Sequence, residues 1–170
     1  MALLLRKVIA RKWLKNKDLE LDVFSSDPIT ACNKTTDDTL SVWRCNSMDF
    51  DSDDELQMII AGLASGFNGP VPHDFLFIDE AELISLGLNV EDKVGTTAFK
   101  AINDKHANIC GINYKNLGVV SEYIRNKVCE DDAKMLVLTK EQVVACVKRF
   151  YKAGELKMRI KDDSPWKDIK

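Results

Sequence analysis

The sequence contains no apolar run approaching the roughly 20 residues that a membrane-spanning helix needs, so it predicts no span and no membrane partner. It also lacks any C-x-x-C pair. Its five cysteines, Cys32, Cys45, Cys110, Cys129 and Cys146, are odd in number, far apart and set in apolar segments. That pattern excludes a disulfide framework and a cysteine cage for zinc; it fits reduced core thiols and hence a cytoplasmic setting. Neither G-x-x-x-x-G-K-[ST] nor G-x-G-x-x-G occurs, and the turn-rich stretch Gly66-Phe67-Asn68-Gly69-Pro70 is followed by no helical pattern. The H-E-x-x-H spacing and the G-x-S-x-G elbow are missing too. No cofactor and no metal site is expected.

What is present is an ordinary globular balance of 45% apolar and 30% charged residues in 170. The length suits one domain, expected over residues 1–160 with a polar tail at 161–170. The formal charge is −3, unevenly spread. Residues 1–17 carry Arg6, Lys7, Arg11, Lys12, Lys15 and Lys17 and no acid, whereas residues 18–56 carry eleven acids against Lys34 and Arg44. The basic start reads first as the polar face of an ordered element, ahead of a nucleic-acid arm or a targeting peptide.

The run Phe75-Leu76-Phe77-Ile78, closed by Asp79-Glu80, predicts a strand buried on both faces, with a short helix over Ala81–Leu86 stopped by Gly87. Leu3 to Leu14 fits two periods, a helix with Leu5, Val8, Ile9 and Trp13 on one stripe or a strand into whose apolar face Arg6 and Lys12 intrude; the triple leucine favours the strand. Residues 18–33 read as loop, and Thr39–Cys45 as a strand. Ser52 and Glu55 form a capping-box pattern before Leu56, Ile59, Ile60 and Leu63. A short helix is expected over Ala98–Lys105, a strand over Ala107–Ile112, a helix from Leu117 to Val128 and a strand over Lys134–Leu138. Thr139 with Gln142 caps the best helix of the chain, which Gly154 stops. Glu155–Ile160 reads as an edge strand before a loose tail. This alternation predicts an α/β fold, a single domain whose mixed or mostly parallel sheet is covered by helices on both faces.

Two groups of residues bear on function. Asp79 and Glu80 end a strand in the hhhhDE manner of metal-dependent nucleotide hydrolases, with His106 and Asp104 as further acid-base material; His73 stands beside Asp74. With no phosphate loop, a metal-dependent hydrolase is the alternative expectation. The leading one is a protein-binding role, as an immunity protein, antitoxin or accessory subunit, in which Asp49, Asp51, Asp53, Asp54 and Glu55 present a negative surface to a basic partner. The basic helix face at Lys140, Lys148, Arg149 and Lys152 belongs to an acidic chain, so nucleic acid is not expected as a partner.

Overall fold

A computed structural model describes every residue except Met1, Lys34, Ala98, Arg159, Asp162 and Asp163, and the side chains of all the rest but Leu21 and Asp132. In chain order the elements are β1 (Leu3–Val8), α1 (Ala10–Leu14), α2 (Asp27–Cys32), β2 (Leu40–Cys45), α3 (Asp54–Ser65), β3 (His73–Asp79), α4 (Glu80–Ser85), β4 (Asn89–Asp92), β5 (His106–Cys110), α5 (Leu117–Glu130), β6 (Met135–Leu138) and α6 (Lys140–Lys152). Both periods in Leu3–Leu14 are used, one after the other: strand through Val8, helix from Ala10.

The strands form one six-stranded sheet in the order β4-β5-β2-β1-β3-β6, and every neighbouring pair is antiparallel. The expected mixed or mostly parallel sheet with its covering crossover helices is therefore incorrect. The registers show why the alternation of strands and helices misleads. α3 does link two strands that run the same way, β2 and β3, but β1 lies between them with the opposite sense. α5 likewise links β5 and β6, which are separated by β2, β1 and β3. Local periodicity encodes the kind of element and leaves its neighbour unspecified.

Successive strand residues point to opposite faces, and two cores result. On one face Leu5, Cys45, Phe75 and Phe77 meet Leu56, Ile59 and Ile60 of α3 and Val143, Val147 and Phe150 of α6. On the other, Leu4, Val42, Leu76 and Ile78 meet Trp13, Cys32 and Val120, Ile124 and Val128 of α5. β2 and β1 are the two central strands, and the apolar run of β3 lies one place from the edge.

The caps follow from sequence, with one shift. α3 is capped by Asp53, whose carboxylate accepts from the Leu56 N–H at 3.0 Å, one residue after the expected Ser52. The Thr139–Gln142 box forms as expected. The segment before β5 is a 3-10 turn over Lys100–Lys105 with Phe99 and Ile102 buried; Ala98, the expected start of a helix there, lies outside the described residues. Among the described residues no strand follows α6. Leu156, Trp166 and Ile169 are instead buried in the α3–α6 core, and the Trp166 indole N–H donates to the Phe67 carbonyl at 3.1 Å. No helix among the described residues is long and apolar enough to cross a membrane.

Candidate functional site

The four residues of the hydrolase expectation do not converge. Asp79 caps α4, accepting from the Ala81 N–H at 2.9 Å. Glu80 has both oxygens on the Arg44 guanidinium, at 2.7 and 3.1 Å, and Arg44 also reaches Asp92 at 2.5 Å. Asp104 is exposed in the 3-10 turn. His106 stands opposite Trp43, which stands opposite Leu5, which stands opposite Phe77. Asp79 and His106 are thus on strands three places apart, about 14 Å at the usual strand spacing. Among the described residues no three of His, Cys, Asp and Glu gather as a metal site.

His73 and Asp74 are neighbours in a strand and so face opposite sides of the sheet. Asp74 accepts from the Ala10 N–H at 2.9 Å, fixing the turn from β1 into α1. His73 is 1% exposed, with its ring 4.9 Å from that of Phe67 and neither nitrogen hydrogen-bonded. Burial, with the nearby Lys7 charge, pushes its pKa down to about 4. It is a neutral core ring. The thiols of Cys45 and Cys146 are pushed up to about 12 by burial, and those of Cys110 and Cys129 are raised too, which makes poor nucleophiles of all four.

The acidic segment before and into α3 is largely tied into its own structure. Asp49 accepts from the Ser52 hydroxyl at 2.6 Å, a bond that holds its carboxyl below the ordinary value, and from the Asp51 N–H. Gln57 donates back to the Phe50 and Asp51 carbonyls. Asp53 is the cap, Asp54 pairs with Arg149 at 2.7 Å, and Glu55 pairs with Lys105 at 2.8 Å. Asp49, Asp51 and Asp54 remain exposed on this fixed backbone.

A second region was not singled out by sequence. Near the start of β2 the cross-strand pairs Trp43–His106 and Ser41–Asn108 line one wall of a hollow of about 380 Å³, rimmed by Thr36, Asp37 and the 93–97 loop. The Trp43 and His106 rings meet edge to face at 5.2 Å. His106 Nδ1 lies 2.6 Å from the Lys93 carbonyl; a carbonyl only accepts, so Nδ1 is the donor of this hydrogen bond. Asn108 is 5% exposed and lines this hollow. Trp43 also walls a second hollow, of about 310 Å³, with Arg6, Lys7, Cys32 and Phe67. The sequence held one sign of this place: Arg6 breaks the apolar face of an otherwise apolar strand.

Comparison with known proteins gives no match, whether by family model, by characterised sequence or by solved structure.

Proposed function

We propose that this chain is a small cytoplasmic binding domain that acts by occupying a basic protein partner, as an immunity protein, an antitoxin or an accessory subunit does. The contact surface is the 49–55 segment. The observation that carries this reading is the exposure of Asp49, Asp51 and Asp54 on a backbone already fixed by Ser52, Gln57 and the Asp53 cap. A negative surface that needs no ordering on contact loses less entropy on binding and draws a basic partner in at long range. The hydrolase alternative, with Asp79 and Glu80 acting on water through a metal, requires Glu80 to leave Arg44 and Asp79 to leave its cap.

The test is cross-linking in the native host followed by purification of the tagged chain. Asp51→Lys with Asp54→Lys should abolish recovery of the partner, and Asp79→Ala with Glu80→Gln should leave it intact. Loss of biological function with the second pair and none with the first would overturn the proposal. Association of the purified partner should also slow as salt is raised, because the charges involved are exposed.

A further inference from the structure

β1 and β2 stop pairing partway along. Their ladder sets Leu3, Leu4 and Leu5 against Cys45, Arg44 and Trp43 and ends there, whereas β1 pairs with β3 out to Val8 and β2 with β5 back to Leu40. Past Leu5 and Trp43 the central strands part, leaving a breach in the sheet. The Arg6 guanidinium lies across it, donating to the Ser41 carbonyl at 2.6 Å and to the Cys32 carbonyl. A side chain here meets the carbonyl that a continued ladder would have met with backbone. The 310 Å³ hollow at this point is lined from both sides of the sheet, by Arg6 and Cys32 on one and by Lys7, Trp43 and Phe67 on the other.

The hollow has an excess of positive charge and of unmatched donors. Among the described residues Arg6 has no carboxylate on it, and its Nε–H is buried without an acceptor, as is the Trp43 indole N–H. The Lys7 ammonium lies 3.5 Å from the centre of the Phe67 ring and is in no ion pair among the described residues. Asp74, whose charge does act on Lys7, is bonded to the Ala10 N–H and is not part of the lining. Burial lowers the pKa of both cations, Arg6 to about 10, as expected of charges taken out of water with too little anion to balance them. Across the Trp43 indole the neighbouring hollow is of another character, uncharged and polar on this side, with Asn108, Ser41 and Thr96.

We infer that the breach between β1 and β2 is a binding site for a small organic oxyanion, a phosphate or a carboxylate, held between Arg6 and Lys7, with a hydroxylated body that passes Trp43 toward Asn108. An oxyanion admitted to the breach would offer acceptors to Arg6 Nε and Trp43 Nε1, which are shut off from solvent in the protein alone, and to Lys7 Nζ; none of the three carries a hydrogen bond among the described residues. The volumes of the two hollows suit a ligand of sugar-phosphate or sugar-acid size. This site lies at the other end of β2 from the acidic segment and does not depend on it.

Ribose 5-phosphate, gluconate and ribose serve as probes of the full chain, followed by amide and indole NMR, with the Trp43 indole N–H signal assigned by its loss in Trp43→Phe. At least one of the two anions should shift the Trp43 indole and the Asn108 side-chain amide saturably, while neutral ribose at the same concentration does not. Lys7→Gln, at a half-buried position that tolerates a neutral side chain, should weaken binding by about tenfold or more, the loss of one charge-assisted hydrogen bond. Arg6→Gln should do the same where it folds, and Lys7→Gln gives the answer where it does not. Absence of a saturable shift with either anion, or equal affinity in Lys7→Gln, would overturn the inference.

Discussion

Arg44 of β2 grips both oxygens of Glu80, the first residue of α4 directly after β3, so the clasp reaches past β1 and ties β2 to the β3–α4 junction. Its side chains are 29% and 18% exposed, sheltered enough for the geometry to matter. The Asp92 arm is much more exposed and adds little. Arg44→Met is expected to lower stability by about 1–2 kcal/mol, as for a partly buried charged hydrogen bond. Urea unfolding of the two single variants and the double variant with Glu80→Gln should give a coupling of about 1 kcal/mol. A coupling near zero would show that Glu80 is free for other work.

His73 makes stability depend on pH in a definite direction. Its folded pKa is held at about 4 against an ordinary 6.5, so the unfolded chain takes up a proton that the folded chain refuses. Its share of stability is whole above pH 6.5 and is lost as pH falls toward 4, by about 2–3 kcal/mol. His73→Phe keeps a ring against Phe67 and Phe75 and removes the proton site. The difference between wild-type and variant stability, followed by urea unfolding at a series of pH values, should change over that window and be flat above it.

The acidic segment contains both structural and free carboxylates, and stability separates them. Asp53→Ala removes the α3 cap and should cost about 1 kcal/mol. Asp51→Ala removes an exposed charge and should stay within about 0.5 kcal/mol of wild type. Thermal melts of the two variants decide this. They also determine which positions are fit for charge reversal, because loss of binding in an Asp53 variant would be confounded by loss of the cap.

Much of the element list was legible because it rests on local chemistry. The Thr139–Gln142 box, the apolar stripe of α3 and the run Phe75–Ile78 each carry their own signal within a few residues. Strand order carries none. β4, with its exposed Asn89, Glu91 and Asp92, shows no apolar alternation, and α2 is hidden among turn formers at Ser25–Pro28. Asp79 and Glu80 were conspicuous as acids closing an apolar run, a pattern that a helix cap and an Arg44 clasp produce equally well. Of the breach only Arg6, a charge in an apolar strand, was legible: Arg6, Lys7, Trp43 and Phe67 are brought together only by β1 lying between β2 and β3.

Two glycines should respond in opposite directions to the same substitution. In α3, a Cβ on Gly62 would lie 2.5 Å from Ile102 Cδ1 and 3.1 Å from a Phe99 ring carbon, where the helix presses on the 3-10 turn. Alanine gains about 1 kcal/mol over glycine inside a helix. Overpacking a filled core costs about 1–3 kcal/mol, and Ile102 and Phe99 are almost fully buried, with little room to yield. The net effect of Gly62→Ala is therefore destabilising, by up to about 2 kcal/mol. Gly118, in the first turn of α5, has nothing within 4 Å of its would-be Cβ, so Gly118→Ala keeps the gain without the clash and should stabilise by about 0.5 kcal/mol. Differential scanning calorimetry of the two variants should show the melting temperature falling in the first and rising slightly in the second. A stabilising Gly62→Ala would mean that α3 stands further from the Phe99–Ile102 turn than the 2.5 Å approach requires.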